Sequence, residues 1–345
     1  MFKIKSKIHD YHVEFIDELK MHSNEGDIFI IDSNVHKLYK KHLPKGVFNV
    51  LTIASSESAK EFKEINFLIS CILLNGFKKN NRIVAIGGGV IQDISGFIAS
   101  ILFRGVDWVF YPTTLVSQAD SCIGGKTSIN FAGYKNLIGT FYPPKVVFIW
   151  DKFLRTLPEE EMMSGYGEIL HYYMLFGKRN WIWELKRHCG WDAVLDSNIF
   201  VKKSLGLKRK YVLEDEFDKG IRNLFNYGHT FGHAIESLTK FRIKHGIAVT
   251  IGMDMANFLS MRRGFITEKQ FTSMRKMIEF NFVEWKDFNV YRFIKILQSD
   301  KKNTCENINF ILPHEKVFKK TAIKNDWQLI SDLKEYKKWA ISILK

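Results

Sequence analysis

Several features that would narrow the class of this protein are scarce or missing from its 345 residues. No apolar run reaches the length of a membrane-spanning helix, and the segment from Met1 to Lys7 lacks the apolar block of a secretory signal. The four cysteines show no paired spacing: Cys71, Cys122, Cys189 and Cys305. Unpaired spacing is typical of free thiols in a reducing compartment. We therefore expect a cytoplasmic protein.

A nucleic-acid-binding motif is also missing, although the chain has a net charge of +14. Lys and Arg are spread along the sequence and interleaved with Asp and Glu. This distribution favours anionic small molecules as ligands over nucleic acid. No internal repeat or low-complexity segment interrupts the chain. With 345 residues and 46% hydrophobic content, two globular domains are expected.

The first half of the chain alternates short apolar runs with helical periods. Strands are predicted at Asp27–Ile31, Val47–Ile53, Arg82–Ile86, Trp108–Tyr111 and Val146–Ile149, and helices at Asn34–His42, Ser58–Phe77 and up to about Leu102. Such alternation predicts a largely parallel sheet that binds ligands at the carboxyl ends of its strands. After Asp151 helical periods dominate, interrupted by an extended piece at Asn307–Leu312 before a C-terminal helix. We expect an α/β domain over residues 1–150 and a mainly helical domain over residues 151–345.

Gly87, Gly88 and Gly89 directly follow one of the predicted buried strands. Such a turn lets the backbone approach a pyrophosphate, and the N-terminus of the next helix favours its charge. Gln92 stands where the usual G-x-G-x-x-G fingerprint has its last glycine, so a tight turn without a ligand explains these residues equally well. Lys126, in a second glycine-rich turn, could neutralise an anion or be an ordinary surface lysine.

Three histidines suggest a metal site. His229 and His233 lie four residues apart on one face of a predicted helix, and His245 follows in a second His-Gly step. Imidazoles at this spacing can converge on a divalent metal. Two histidines packed side by side on a helix are an equally ordinary arrangement, so the spacing alone does not decide.

A long series of motifs occurs in one collinear order between residues 27 and 312. The series is Gly87-Gly88-Gly89-Val90 with Asp93, Arg104-Gly105, Pro112-Thr113-Thr114-Leu115, Asp120-Ser121, Gly124-Gly125-Lys126-Thr127, Lys135-Asn136, Thr156-Leu157-Pro158, Gly165-Tyr166-Gly167-Glu168, Gly220-Ile221-Arg222, Asn226-Tyr227-Gly228-His229-Thr230 and His245-Gly246. It resembles the motif order of the 3-dehydroquinate synthase family of sugar-phosphate cyclases. The resemblance is very specific for the superfamily and less specific for the substrate.

The resemblance implies an α/β N-terminal nucleotide-binding domain, a mainly α-helical C-terminal metal-binding domain and an active site in the cleft between them. It implies a homodimer, with Arg104 reaching into the neighbouring subunit's site. Glu168, His229 and His245 match the ligands of Zn²⁺ or Co²⁺, and such a donor set leaves the open position of a catalytic metal. The implied NAD contacts are Asp32, Asn34, Glu57, Lys60, Gly88, Gly89, Val90, Asp93, Thr113, Thr114, Asp120, Ser121, Lys135, Asn136, Phe153, Thr156 and Leu157.

The family pattern also implies the residues that hold the substrate. Its phosphate-handling positions are Lys126, Asn226, His233 and Arg104, and its carboxylate-holding positions are Lys208, Arg222 and Lys302, in the Asp300-Lys301-Lys302 run. The implied reaction begins when NAD oxidises a ring hydroxyl of a sugar phosphate, after which phosphate leaves by β-elimination. The ketone is then reduced back and the opened ring closes as a carbocycle. The implied conversion is 3-deoxy-arabino-heptulosonate 7-phosphate to 3-dehydroquinate, a lyase reaction of the shikimate pathway of aromatic amino acid biosynthesis.

Three positions depart from the family pattern. His171 stands where lysine is usual, Ile247 replaces an acid after the second His-Gly step, and Asp218 replaces a longer acid. These departures leave open a related cyclase that acts on another sugar phosphate, similar to 2-epi-5-epi-valiolone or 2-deoxy-scyllo-inosose synthase. A net NAD-dependent polyol dehydrogenase and a noncatalytic binding protein are further alternatives.

Overall fold

The computed structural model describes residues 1–19, 21, 23–44, 49–188, 197–283, 285, 288–299, 303–304, 306–315 and 317–343. The Asp300-Lys301-Lys302 run, Cys189, Cys305 and the start of the strand predicted from Val47 lie outside the described residues. The chain divides into two compact units: unit 1 comprises Met1–Leu157 with Ser197–Phe217, and unit 2 comprises Pro158–Asp196 with Asp218–Lys345. The functional domain division expected at residue 150 stays a prediction. Among the described residues, no helix is long and apolar enough to cross a membrane.

Unit 1 is built on a seven-stranded sheet. Its strands are β1 (Phe2–Ile4), β2 (Tyr11–Phe15), β3 (Ile28–Asp32), β4 (Val50–Ile53), β5 (Ile83–Gly87), β6 (Trp108–Pro112) and β9 (Val146–Ile149). Their order across the sheet is β1-β2-β9-β6-β5-β3-β4. The pairing of β1 with β2 is antiparallel, and all other neighbours pair in parallel. The sheet confirms the predicted α/β architecture.

The central strands carry apolar residues on both faces because helices cover both sides of a parallel sheet. Every residue of β3, β5 and β6 is buried. Phe29, Ile31, Val84, Ile86 and Tyr111 form part of one continuous core cluster. The helices of unit 1 are α1 (Ser33–Tyr39), α2 (Phe62–Leu74), α3 (Gly89–Ile101) and α6 (Ser197–Glu214).

Four strands of unit 1 are absent from the expectations drawn from the sequence: β1, β2, and the hairpin strands β7 (Lys126–Phe131) and β8 (Tyr134–Phe141). Most residues of β8 are exposed, so the strand shows no apolar alternation that a sequence pattern could reveal. The glycine-rich segment was expected to consist of turns. In the structure it leads directly into this hairpin, because Gly124 and Gly125 adopt positive φ angles of 104° and 66° just before β7.

Unit 2 is mainly helical, as expected. Its elements are α4 (Glu159–Leu175), α5 (Arg179–His188), α7 (His229–Leu238), α8 (His245–Arg262), α9 (Glu268–Ile278), α10 (Val290–Ser299), α11 (Trp327–Ile343) and a hairpin of β10 (Asn307–His314) with β11 (Val317–Lys324). The first turn of α4 follows Pro158 and contains three glutamates, a sequence pattern typical of a helix start.

Helix α8 runs through the centre of unit 2, since residues 246–260 are all buried. Its Asp254 carboxylate accepts hydrogen bonds from the Arg275 guanidinium and, at 2.9 Å, from the Tyr336 hydroxyl. The Arg275 guanidinium also lies 4.1 Å from the centre of the Trp339 ring. These contacts connect α8 to α9 and to the C-terminal helix α11, and so hold in place the helix that begins at His245.

Candidate active site

The carboxyl ends of β3, β5 and β6 meet at one edge of the parallel sheet of unit 1. Asp32 ends β3, and its Oδ1 accepts the backbone N–H groups of Asn34 and Val35 at 2.7 and 2.9 Å. Gly88 follows β5, and Thr113 follows β6. This edge therefore presents a helix-capping carboxylate, a glycine turn and a threonine pair together, as expected for a ligand site of an α/β sheet.

The glycine turn leaves space at the N-terminus of α3. A Cβ added at Gly88 would lie 2.9 Å from the Thr114 Cγ2, whereas one at Gly89 would meet nothing within 4 Å. The first N–H groups of this 13-residue helix have no acceptor within the helix itself. Backbone donors and the helix dipole suit the diphosphate of a dinucleotide, so the residues present fit an NAD cofactor.

Gln92, which stands where the glycine fingerprint has its last glycine, uses its side chain to bind Ser121. Its amide donates to the Ser121 carbonyl oxygen at 2.7 Å, and the Ser121 hydroxyl donates to its Oε1 at 2.6 Å. Nearby, the Lys208 ammonium donates to the Asp120 carboxylate and carbonyl oxygens at 2.8 Å. Asp120 and Ser121, both predicted cofactor contacts, are thus held by side chains from α3 and α6.

A buried lysine and four other predicted cofactor residues lie together beside α3 and the β7–β8 hairpin. Lys60 is 4% exposed, and its ammonium donates to the Asp93 carboxylate at 2.7 Å and to the Asn136 side-chain oxygen. Glu57 lies 3.7 Å from this ammonium and 3.6 Å from that of Lys135. Burial raises the pKa of the Asp93 carboxyl, and the Lys60 ammonium opposes that rise. The structure thus places these residues in a single polar network.

The remaining predicted cofactor residues lie after β9. The Thr156 hydroxyl is 3.0 Å from the Tyr39 hydroxyl. Phe153 is 2% exposed, and its ring packs 4.9 Å from the rings of Tyr39 and Trp150. Its carbonyl oxygen accepts a hydrogen bond from the Thr156 hydroxyl at 3.2 Å. Leu157 ends this segment and is half-buried.

Unit 2 brings together the three residues predicted to bind a metal. The Oε1 of Glu168 lies 3.0 Å from Nε2 of His245 and 3.7 Å from Nε2 of His229. All three candidate ligand atoms lie within 4.8 Å of one another, and Glu168 is 2% exposed. Ligand atoms of a tetrahedral zinc with bonds of about 2.0–2.1 Å are roughly 3.4 Å apart. One carboxylate and two imidazoles at these separations fit a divalent metal.

Glycines allow the three ligand-bearing helices to approach one another. A Cβ at Gly246 would lie 1.7 Å from the Ser164 carbonyl oxygen, and one at Gly167 would lie 2.0 Å from the Gly246 oxygen. Gly228 precedes α7 with a φ of 77°, and its Cβ would be 2.7 Å from the Val249 oxygen. Larger residues would push α4 and α7 away from α8, so these glycines are what let side chains from three helices converge.

The imidazoles of His229 and His245 have pKa values shifted in opposite directions. Burial lowers the pKa of His229 well below its usual value, and the neighbouring rings of His171, His245 and His233 lower it further. Burial also acts to lower the pKa of His245, but Glu236 and Glu168 together outweigh it and hold that pKa well above its usual value. Without a metal, His229 is therefore neutral near pH 7, while His245 carries a proton between two carboxylates.

Metal binding should consequently release one proton per chain at pH 7, because the proton on His245 must leave before the ring becomes a ligand. Below the raised pKa of His245, the apparent metal affinity is expected to fall about tenfold for each unit that the pH decreases. Zinc titrations at several pH values, with proton release followed by an indicator dye in weak buffer, measure both quantities. An affinity that does not change with pH would contradict the assigned protonation of His245.

Four other predicted site residues belong to unit 2, and two of them, His171 and His233, lie beside His229. His171 is fully buried, and its ring lies 5.0 Å from that of His229 in an edge-on arrangement. His233 is exposed, and its ring lies 5.6 Å from that of His229. Arg222 is 3% exposed, and Asn226 donates its amide to the Asn223 carbonyl oxygen at 2.9 Å. His171 thus packs behind a candidate ligand, whereas His233 faces solvent beside it.

The predicted phosphate-handling residues of unit 1 are exposed. Lys126 begins β7. Arg104 follows α3 in a turn in which Phe103 and Arg104 have φ angles of 50° and 64°. Consecutive left-handed residues other than glycine are strained, and such strain concentrates at functional sites.

Glu236 is a site residue to which the sequence interpretation assigned no role. Its Oε2 lies 3.0 Å from Nδ1 of His245, although nine residues separate the two in sequence. The available signal was its position on α7, three residues after His233 and seven after His229, on the face that carries both histidines.

Comparison with known sequences agrees with this geometry. The family description "3-dehydroquinate synthase N-terminal" matches residues 50–164, and "3-dehydroquinate synthase C-terminal" matches residues 165–303. The chain belongs to the 3-dehydroquinate synthase family. A curated 3-dehydroquinate synthase from Campylobacter concisus is 36% identical over 349 residues, which cover 97% of this chain and 98% of the relative.

Solved structures share the fold of this family member. A 2-epi-5-epi-valiolone synthase from Streptomyces hygroscopicus, with NAD⁺ and Zn²⁺ bound, superimposes with a TM-score of 0.81 at 22% identity, covering 95% of this chain and 96% of its own. A 2-deoxy-scyllo-inosose synthase complexed with carbaglucose-6-phosphate, NAD⁺ and Co²⁺ gives a TM-score of 0.80 at 21% identity, covering 97% and 98%. These likenesses confirm the dehydroquinate synthase-like fold.

Proposed function

We propose that this protein is a 3-dehydroquinate synthase, an NAD- and divalent-metal-dependent lyase that converts 3-deoxy-arabino-heptulosonate 7-phosphate to 3-dehydroquinate and phosphate. The observation that carries the proposal is the Glu168, His229 and His245 group, in a chain aligned over 97% of its length to a curated 3-dehydroquinate synthase. The proposal places the enzyme in the shikimate pathway and takes it to be a cytoplasmic homodimer.

The proposed cofactor residues belong to unit 1. Bound NAD would supply reversible hydride transfer, and a zinc or cobalt ion held by Glu168, His229 and His245 would polarise the reacting substrate hydroxyl. The N–H groups at the start of α3 would hold the cofactor diphosphate. Lys60 supports this role by orienting Asp93 and Asn136 through direct hydrogen bonds.

Substrate handling is proposed for charged groups outside the metal ligands. Lys126 and Arg104 would stabilise the charge that develops on the departing phosphate. His233 is exposed beside the two ligand histidines, where it could hold the phosphate or move a proton at a ring nitrogen. Arg222 would hold the substrate carboxylate, because a guanidinium binds a planar carboxylate through two parallel hydrogen bonds. Lys208 and Lys302 would add ammonium groups to the same carboxylate.

The test of the function is phosphate release by the NAD- and zinc-loaded protein. We expect turnover with 3-deoxy-arabino-heptulosonate 7-phosphate, little turnover with glucose 6-phosphate or sedoheptulose 7-phosphate, and no accumulation of NADH. Stoichiometric NADH would instead indicate a net dehydrogenase. Folded, metal-loaded protein that releases phosphate only from a substrate without a carboxylate would support a related cyclase, an alternative that the departures at His171 and Ile247 favour.

Arg222 is expected to separate these two classes of substrate. Replacing it by lysine keeps the positive charge but loses the forked pair of donors. For a carboxylated substrate, kcat/KM should fall at least roughly 100-fold in Arg222→Ala and less in Arg222→Lys, since hydrogen bonds to charged groups each contribute about 1.5–3 kcal/mol. The measurement is steady-state phosphate release by both variants. Unchanged kcat/KM in folded Arg222→Ala would show that Arg222 does not hold a carboxylate.

A further inference from the structure

The carboxylate of Glu236 faces the ring nitrogen of His245 that points away from the other candidate metal ligands. Oε2 of Glu236 is 3.0 Å from Nδ1 of His245, and Oε1 of Glu168 is 3.0 Å from Nε2 of the same ring. We infer that Glu236 is a positioning residue: it accepts the Nδ1–H of His245 and thereby fixes Nε2 as the ligand atom. This inference rests on the metal centre of the proposed function.

His229 provides an internal comparison for this arrangement. Its Nδ1 lies 3.1 Å from the carbonyl oxygen of Tyr227, which can only accept a hydrogen bond. Nδ1 of His229 therefore carries the hydrogen, and Nε2 faces Glu168 with its lone pair. Both candidate ligand rings thus present Nε2 to Glu168 and hold Nδ1 against an acceptor outside the ligand group. Such outer acceptors orient the ring and make it a stronger ligand.

The surroundings favour a well-formed hydrogen bond. The Glu236 side chain is 15% exposed and that of His245 is 35% exposed, so water is partly excluded from the contact. Ile247, at the position where the family usually has an acid, is 2% exposed and cannot accept a hydrogen bond from His245. In this chain the acceptor for His245 is supplied by α7, and the isoleucine at position 247 does not remove it.

An alternative use of Glu236 is as a ligand of a second metal. His233, Glu236 and His245 also offer donor atoms within 4.8 Å of one another. A neutral imidazole has only one nitrogen lone pair, however, so His245 cannot serve the Glu168 side and the Glu236 side at once. A single metal per chain, held by Glu168, His229 and His245 with Glu236 as support, avoids this conflict.

The experiment measures zinc and cobalt affinity of the purified full-length protein by competition with a chromogenic chelator. Glu236→Ala removes the acceptor, and we expect zinc affinity to fall about 10–100-fold. Glu236→Gln keeps an acceptor oxygen, so its loss should be several times smaller. The visible absorption bands of the Co²⁺-loaded protein should shift in Glu236→Ala, because His245 is then free to reorient.

Glu161→Gln is the matched control. Glu161 pairs with Lys244 at 2.7 Å, immediately before His245, but its carboxylate does not bind the imidazole. This variant should bind zinc within about twofold of the parent, since a partly exposed ion pair contributes little. Circular dichroism of the metal-free proteins shows whether each variant is folded. If Glu236→Ala does not fold, the zinc affinity of Glu236→Gln still tests the inference.

Two results would overturn the inference. One is unchanged zinc affinity and an unchanged Co²⁺ spectrum in a folded Glu236 variant. The other is two metal equivalents per parent chain, one of which is lost in both Glu236→Ala and His233→Ala. Because affinity and spectra are measured without substrate, they stay informative even if the protein fails to release phosphate from any sugar phosphate. Failure of the proposed function is therefore distinguishable from failure of this inference.

Discussion

Glu168→Gln is expected to reduce phosphate release by at least about 1,000-fold and to abolish tight zinc binding. Glutamine has almost the same shape as glutamate but lacks the charge that offsets a divalent ion. Glu168 is 2% exposed, and its Oε1 lies within 3.7 Å of both ligand imidazoles. A buried metal that lost its only carboxylate ligand would keep two neutral nitrogens, and the loss in affinity would remove the polarising charge from the site.

Measuring bound zinc by atomic absorption alongside kcat separates loss of metal from loss of catalysis. Glu161→Gln again provides the control, because it removes a carboxylate from the same helix, α4, without touching an imidazole. It should keep its zinc and its turnover within about twofold. If Glu168→Gln retained both one equivalent of zinc and parental turnover, the assignment of Glu168 as a ligand would be wrong.

Lys60→Met is expected to lower the free energy of unfolding of unit 1 by about 3 kcal/mol, the lower end of the cost of breaking a buried ion pair. The Lys60 side chain is 5% exposed, while that of its partner Asp93 is 23% exposed and can regain some hydration. The affinity for NAD should fall by at least about tenfold as well, since Lys60 holds two proposed cofactor contacts, Asp93 and Asn136, in place.

The loss of stability in Lys60→Met is expected to depend on pH in one direction. Burial already raises the pKa of Asp93 in the folded parent, and removal of the ammonium raises it further. In the pH range between the ordinary pKa of an aspartate and the raised pKa of Asp93, the folded variant therefore binds more protons than the unfolded chain. The difference in stability between parent and variant should therefore narrow as the pH falls. Urea unfolding and NAD titrations at several pH values test both effects.

Lys63→Met is the matched control for Lys60→Met. Lys63 lies three residues further along, is 81% exposed and sits 3.9 Å from Glu64. Its loss should leave the urea midpoint and NAD affinity nearly unchanged, because exposed ion pairs contribute little. Equal effects of the two substitutions would show that the polar network around Lys60 has no special role.

Local patterns predicted the elements that position the site. The strand ending in Gly87, the helix after it and the helix start at Glu159 all follow from the sequence, because apolar periodicity and capping residues act over a few positions. The hairpin beginning at Lys126 could not be predicted in this way, because its second strand is mostly exposed and has no apolar alternation. The grouping of helix α6 with unit 1 could not be predicted either, because it depends on contacts between residues distant in sequence.

The candidate ligands themselves were named by the motif order, since Glu168, His229 and His245 occupy family positions. The geometry of these ligands could not be predicted from the motif order, because no sequence pattern indicates how closely two helices approach. That approach depends on Gly167 and Gly246, where a side chain would collide with the facing backbone.

The sequence by itself therefore determined the family and the alternation of strands and helices, and it supplied the residues proposed to bind a nucleotide and a metal. Only the tertiary structure decided which nitrogen of each imidazole is available, that Glu236 supports His245, and that His171 packs behind His229. The physical reason is the range of the forces involved. Periodicity and capping depend on neighbours within one or two helical turns. The nitrogen that an imidazole offers to a metal depends instead on the hydrogen-bond partner of the other nitrogen, which only folding brings to about 3 Å.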